Sequence, residues 1–533
     1  MKPSLSRLIL CLALLLFPAA AFADPPADFA ARVERLRQAF GSPGATVAIV
    51  ENGRATMAQG FGVTDLARGR RVDADTNFQT GSTGKAFTAA ALAILVDEGR
   101  LNWDDRVIDH MPDFRMYDPW VTREMTVRDL LVHRSGLGLG AGDLLFVPRS
   151  NLTRADVMRR LRHIRPATSF RSAYAYDNIL YIVAGQLIEQ VSGMSWERFM
   201  QRRLLAPAGM NRVTVDEAGR RADRNFARPH ARLNGPIRGT GDVEPLGENA
   251  YIAPVAAPAG GMSVSANDMV HWLSLQLAQG RIGGERRLFS EEQARQMWTP
   301  VVLMPVSPLL ASLGPVQPMF STYALGWNVR DYRGARIVMH SGGTYGSIAM
   351  VVLIPERNVG FYIALNSEES AMLHGLTWEL VDHYLGEAPE NWPDRFRTVL
   401  EARTAAAIQA LQAPAARPAG VGPSLPLGRY AGRYTDPWFG TISISERDGR
   451  LRLDFPHWPG LTATLEHHQY DTFRTRFNDS SVEPAYVTFN LGPGGAVTQI
   501  RMEPVSPIAD FSYDYRDLLF TPEPPPPGAA AAE

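Results

Sequence analysis

Strand-forming runs sit at both ends of the first 365 residues and helical spacing fills the middle, which limits the possible folds more than any other feature of the chain. Ala45–Val50 is a β-branched apolar run, Asn52-Gly53 reads as a hairpin turn, and Arg54–Val63 returns as a second strand. Strand signals come back only at Arg336–Met339, Ile348–Ile354 and Val359–Leu365. Between them, Lys85–Glu98 places Phe87, Ala91, Ile94 and Leu95 at helical spacing and stops at Gly99. Residues 126–133, 174–202 and Glu291–Met297 also read as helices, and one near 397–411 closes this part. The pattern predicts an α+β fold: an antiparallel sheet assembled from both ends of a domain and flanked by a helical region.

A chain of 533 residues is too long for one ordinary core, and its texture changes once. Residues 413–427 are rich in Pro, Ala and Gly and read as a linker. From Gly428 to Phe520 short strands alternate with turns such as Asp448-Gly449, which predicts a small C-terminal all-β barrel or a sandwich. Residues 521–533 read as a disordered Pro- and Ala-rich tail. At the other end, residues 1–23 read as a signal peptide. Lys2 and Arg7 give a positive start, Leu8–Phe17 a short apolar run, and Ala21-Phe22-Ala23 a small-residue cleavage site; an uncleaved anchor is the alternative. The expected main domain is 24–412, in the periplasm or secreted, with no membrane span after processing.

Charge and cysteine narrow the chemistry. A formal net charge of -1 offers no basic face for nucleic acid. The single cysteine, Cys11, lies in the apolar run of the signal segment, so the mature chain has neither a disulfide nor a thiol nucleophile. No H-E-x-x-H or Cys/His zinc pattern occurs, and no metal or organic cofactor is expected. G-x-S-x-G is absent as well. Lys and Arg total 54, yet only Lys2 and Lys85 are lysines. A chain that fills its basic positions with Arg and keeps one Lys beyond the signal segment has a place where Arg does not substitute. Lys can lose its proton when buried, whereas Arg stays charged.

That lysine ends Ser82-Thr83-Gly84-Lys85 at the start of a helix. Residues three apart share a helix face, so the amine can reach the hydroxyl and act as its base, and free N–H groups of the first turn favour a developing negative charge. An N-cap serine is the plainer alternative, and the lysine census argues against it. Tyr176-Asp177-Asn178 is the next candidate: a tyrosine near Ser and Lys can relay a proton, and an Asn can position a substrate amide. A core tyrosine with a capping Asn fits the same letters. In His340-Ser341-Gly342-Gly343 the glycines let a substrate backbone approach an edge strand at Ser341 and Gly342. The N–H of Gly343 can join that of Ser82 as an oxyanion hole, and His340 can bond the substrate or tune Tyr176 and Lys85. A Gly-rich turn with an incidental His is the alternative.

Taken together, S-x-x-K, Y-x-N and H-x-G in this order make the chain, over roughly residues 30–390, resemble the class C β-lactamase and penicillin-binding-protein family of serine hydrolases. Leu130–Leu137 (LLVHRSGL), Pro258–Ser263 (PAGGMS) and His340–Gly346 (HSGGTYG) carry the likeness further. The C-terminal part resembles the β-barrel module appended to peptidase-like members, chiefly through Ser506–Phe520. The resemblance implies that Ser82 is acylated, that Lys85 and Tyr176 share the base work, and that Asn178 contacts the substrate. His340 stands where many members carry the Lys of K-T-G. A largely neutral His there disfavours penicillins and D-Ala-D-Ala peptides, which present a carboxylate. The expected activity is hydrolysis of small or linear peptides, including ones with D- or unusual residues, cell-wall fragments and linearised cyclic peptides. A carboxylesterase is the alternative; a β-lactamase or a non-catalytic binding protein comes third. The oligomeric state is not legible.

Overall fold

The computed structural model describes residues 24–412 and 421–523, so the expected signal peptide 1–23, residues 413–420 of the expected linker and 524–533 of the expected tail lie outside the described residues. The expected hairpin joins β1 (Gly44–Glu51) and β2 (Arg54–Gly62). Its turn places Asn52 and Gly53 at φ 51° and 76°, the left-handed pair that an Asn-Gly hairpin favours. Six strands follow: β3 (Val302–Leu303), β4 (Ser321–Tyr323), β5 (Asn328–Tyr332), β6 (Ala335–Thr344), β7 (Ser347–Ile354) and β8 (Val359–Leu365). The sheet order is β2-β1-β8-β7-β6-β5-β4-β3, so β1 pairs with β8 in antiparallel register from Ala45↔Leu365 to Glu51↔Val359. The two ends of the domain thus share one sheet.

One face of that sheet is covered by α1 (Phe29–Phe40) and α5 (Ser370–Leu385), with α6 (Trp392–Gln412) outside them. The other face carries the helical region. Its centre is α2 (Lys85–Asp97), buried without interruption from Lys85 to Leu95, as an all-round apolar helix must be. Phe87 of α2 stacks on Trp272 of α4 (Ala266–Leu277) with ring centroids 3.7 Å apart.

Two expected helices differ. Residues 126–133 hold only a short turn, Asp129–Leu131. The buried Asp129 carboxylate accepts from Thr126 N (3.0 Å), Thr126 Oγ1 (2.7 Å) and Arg134 Nε (2.8 Å), and His133 takes φ 60°, so side-chain bonds replace a helical ladder. The long helix expected over 174–202 starts only at Ile179: α3 (Ile179–Ser192) ends on Gly193 at φ 72°, and Ser195 caps a new turn through Arg198 N at 3.2 Å. Tyr174–Asp177 is non-helical, held by Ala175 N to His133 O (3.0 Å) and Gly140 N to Tyr176 O (2.8 Å).

The C-terminal strands form a closed eight-stranded barrel rather than a sandwich: β9 (Gly432–Asp436), β10 (Gly440–Arg447), β11 (Arg450–Asp454), β12 (Thr462–Gln469), β13 (Thr472–Phe477), β14 (Ala485–Leu491), β15 (Val497–Pro504) and β16 (Leu519–Pro522). β16 closes on β9 through Tyr434↔Pro522 and Thr435↔Thr521, so the barrel runs past 520 into the stretch read as tail. Alternate residues such as Ile442, Leu453, Phe489 and Ile500 are buried, as in a small barrel filled by side chains. The barrel docks on the helical region. Arg160 donates to the carbonyls of Trp438 (2.8 Å) and Phe439 (2.6 Å), and the buried Trp458 donates to Leu144 O (3.2 Å). Truncating Arg160 leaves two carbonyls at the seam without their charged donor. We expect Arg160→Ala to lower unfolding free energy by about 2 kcal/mol in urea titration and to speed hydrogen exchange at 436–440.

Candidate active site

Ser82 owes its place to three backbone segments that meet with no side chains between them. It lies in the single turn Gly81–Gly84 that leads into α2. Gly81 has φ 49°, and a Cβ there would stand 2.5 Å from the Gly343 nitrogen. A Cβ on Gly342 would lie 2.1 Å from Thr80 O, and one on Gly260 2.5 Å from Gly81 C. These are approaches that only glycine allows. Thr80 is pinned from both sides of its backbone, N–H (2.9 Å) and Oγ1 (3.0 Å) both donating to Met262 O. The glycines of PAGGMS and HSGGTYG therefore press the turn carrying Ser82 against β6.

Lys85, the first residue of α2, is fully buried, and its Nζ lies 2.9 Å from Ser82 Oγ, 2.7 Å from Asn178 Oδ1 and 2.9 Å from Ala259 O. Burial pushes the amine down to about 7, against the pull of Asp143 and Asp177. Two of its three neighbours, the Asn178 and Ala259 oxygens, can only accept. A neutral amine has two N–H donors for them, and its lone pair is then left facing the Ser82 hydroxyl. The rings of Tyr176 and Tyr181 flank Nζ, with centroids at 4.8 and 5.1 Å.

Tyr176 and Asn178 both reach this cluster. The Tyr176 hydroxyl is buried and makes no well-aligned hydrogen bond. Burial holds the phenol well above its ordinary pKa, while the nearby Ser82 hydroxyl pulls the other way. Asn178 points its oxygen at Lys85 and donates through Nδ2 to Asp143 Oδ2 at 2.8 Å, which leaves one N–H. The intervening Asp177 turns away, accepting from Ser135 Oγ at 2.7 Å; burial raises its carboxyl to about 8. His133 Nδ1 accepts from Asp177 N at 3.1 Å, and its ring lies 4.1 Å from that of Tyr176. The segment LLVHRSGL thus supplies the floor beneath Tyr176.

His340 stands on β6 with both nitrogens in use. Nδ1 lies 2.6 Å from Ser341 O, which can only accept, so Nδ1 carries the proton and Nε2 accepts from Tyr323 Oη at 2.7 Å. Burial, with the Lys85 charge behind it, pushes the imidazole down to about 3. Ser341 and Gly343 line the cleft beside Ser82. Gly342 instead packs against the Thr80–Thr83 backbone, because alternate strand residues face opposite ways. The exposed His467 and the half-buried His468 lie in the barrel on β12, with His467 Nε2 bonded to Tyr470 O at 2.8 Å.

Asp143, Tyr323 and the Ala259 carbonyl are site groups that motif reading missed. Asp143 did leave a signal, a lone acid within the apolar stretch Ala141–Val147. The cleft has a volume of about 1440 Å³ and is walled by both domains, with Tyr174, Tyr176 and Tyr345 facing Phe511 and Ser512 of the barrel.

Comparison with known proteins agrees with this geometry. The Beta-lactamase family profile matches residues 29–385, and a domain of unknown function, DUF3471, matches 416–522. The unguisins hydrolase ungD of Aspergillus violaceofuscus is 28% identical over 496 residues, covering 88% of this chain and 86% of that protein. Among solved structures, the octameric penicillin-binding protein homologue from Pyrococcus abyssi superposes with a TM-score of 0.57 at 20% identity, over 89% of this chain and 97% of that one. The class C beta lactamase from Rhodobacter sphaeroides gives 0.52 at 20% identity, over 67% of this chain and all of that one. The chain belongs to the beta-lactamase family, a family of serine hydrolases.

Proposed function

We propose that the chain is an exported hydrolase that cleaves small or linear peptides through an acyl-enzyme on Ser82. The observation that carries this reading is the buried Lys85 amine, whose two committed acceptors leave its lone pair to the serine hydroxyl. Ser82 Oγ attacks the substrate carbonyl carbon as its proton passes to Lys85 Nζ. The oxyanion that forms faces the N–H groups of Ser82 and Gly343. On collapse the C–N bond breaks, and the leaving amine takes a proton from Lys85, relayed by the Tyr176 phenol. Water then attacks the acyl carbon, giving up a proton to Lys85 Nζ; as the bond from that carbon to Ser82 Oγ breaks, Lys85 returns the proton to Ser82 Oγ, which restores the hydroxyl and the neutral amine.

Three features favour a peptide. The pairing of β6 with β5 stops at Met339, so His340–Thr344 has a strand partner only on the β7 side and an open edge beside Ser82. A peptide can add to such an edge as a strand, with the remaining Asn178 N–H for its carbonyl. The neutral His340 offers no cation to a substrate carboxylate at the position beside Ser341, and four of the six arginines lining the wider cleft are paired, Arg232 with Glu369 (3.1 Å), Arg238 with Glu368 (2.5 Å), Arg397 with Asp394 (2.9 Å) and Arg149 with Glu217. The relative named an unguisins hydrolase accords with a substrate other than a β-lactam. The same neutral His340 also suits a carboxylesterase, since an ester needs no charged pocket. For export, the support is the charge, apolar run and Ala21-Phe22-Ala23 of the first 23 residues. An amino terminus at Asp24 in the protein recovered from the producing cell is the outcome that bears this out.

Labelling with a fluorophosphonate followed by peptide mapping tests the nucleophile: one adduct on Ser82 is expected, and none in Ser82→Ala. An adduct elsewhere, or none in the unaltered protein, overturns the reading. Lys85→Arg should keep the fold and lose about 10²- to 10⁴-fold in kcat/KM on p-nitrophenyl acetate, because a guanidinium does not give up its proton; near-normal turnover would exclude Lys85 as base. The required form of Lys85 is the neutral one, so kcat/KM should rise with pH through a limb near 7 and level off above it. Asp143 and Asp177, raised to about 7 and about 8, titrate in the same window, so the limb belongs to the cluster.

A further inference from the structure

The barrel meets the cleft at Glu483 and, more extensively, along residues 505–518 between β15 and β16. Phe511 seats on Gly140, where a Cβ would stand 2.8 Å from both its ring and its carbonyl oxygen, and its ring meets Tyr176 edge-on at 5.9 Å. Next to it, Ser512 Oγ donates to Asp143 Oδ2 at 2.8 Å, and the Ser512 N–H is held by Asp510 Oδ1 at 2.9 Å. Asp143 Oδ2 also accepts from Asn178 Nδ2 (2.8 Å), and Asn178 Oδ1 accepts from Lys85 (2.7 Å). Asp143 is fully buried, and its other oxygen has no hydrogen-bond partner. An unbroken hydrogen-bonded line therefore runs from the barrel to the base through Ser512, Asp143, Asn178 and Lys85.

The line has a physical consequence at each link. The two ends of an asparagine amide have nearly the same shape, and only their partners decide which faces where. A carboxylate on one side of Asn178 takes the NH₂ and obliges the oxygen to face Lys85. Asp143 is in turn a carboxylate in a buried place, and among the described residues the Ser512 hydroxyl is one of two groups that bond it there. Its charge acts on Lys85 as well, favouring the protonated amine. The titratable and charged groups around Lys85 are Asp143, Asp177, His133, His340, Tyr176 and Tyr181; those bearing on Asp143 are Lys85 and Asp510.

We propose that Ser512 and Asp143 are positioning residues of the active site, and that through them the C-terminal barrel holds Asn178 and Lys85 in working order. The inference rests on Ser82 and Lys85 being the nucleophile and its base. The test is the pH profile of kcat/KM on p-nitrophenyl acetate, with the full chain throughout. Asp143→Asn removes the negative charge that draws a proton onto Lys85, so the acidic limb should move to lower pH by about one unit. Ser512→Ala weakens the ionised form of Asp143 and should move the limb the same way by less. Ser512→Thr keeps the donor and should leave the limb where it is. Circular dichroism and melting establish that each variant folds; if Asp143→Asn does not, Ser512→Ala, at a partly exposed residue, carries the test. A limb unmoved in the folded variants overturns the proposal even if kcat falls, since loosened packing would lower kcat alone. Fluorophosphonate labelling of the unaltered protein separates the two failures. With Ser82 labelled and the limb fixed, only the barrel's role falls; with no label, the reaction assignment falls and this proposal with it.

Discussion

A primary amine buried without a carboxylate in contact is the constraint around which the site is arranged. Lys85 Nζ touches a hydroxyl, an amide oxygen and a backbone carbonyl, none of them charged. Such a surrounding removes water's stabilisation of the ammonium form, and Asp143 and Asp177, which do not touch the amine, offset only part of that loss, so the proton is held loosely. The amine stays in place because α2 is buried along its whole first face, because Ala259 is fixed by the glycine contacts of residues 260–262, and because Asn178 has its other end tied. Loosening α2 or the Ala259 carbonyl gives the amine water or a new partner and restores its ordinary affinity for a proton. The packing of the helical region thus sets this amine's affinity for a proton.

What could be read from the sequence follows from distance along the chain. Ser82 and Lys85 are one helical turn apart, and the scarcity of lysine marked the second of them. The hairpin at 45–62 and the strands at 335–365 were legible from alternation and turn residues, and so was their shared sheet. Contacts between distant segments were not: Asn178 with Asp143, His340 with Tyr323, and Asp143 with Ser512 have no period or spacing to betray them. Residues 126–133 misled for a different reason. Their apolar spacing suits a helix, but Asp129 draws Thr126, Arg134 and Arg171 to itself and takes up the bonds a helix would use. Glycine conservation of space was likewise invisible letter by letter; only the assembled backbone reveals that Gly81, Gly260 and Gly342 meet.

The barrel changes how the cleft should be regarded. In the hydrolase region alone, the side beside Gly140 and Tyr176 would lie open. Phe511 closes that side and Tyr513 stacks near Tyr345 at 5.3 Å, so two aromatic contacts of the cleft wall come from a second domain. Arg160 and Trp458 add further hydrogen bonds across the seam. Docking and cleft shape are therefore one property, and part of the cleft wall is written in residues that follow the linker.

The solitary buried lysine has a practical meaning for anyone handling the protein. Reagents that acylate or reductively alkylate amines meet, beyond Lys2, only the chain's amino terminus and one side chain with no exposed surface. An intact fold should therefore emerge from reductive alkylation with Lys85 unmodified. Modification at position 85 becomes a clock for the opening of the helical region, readable by mass without any added probe.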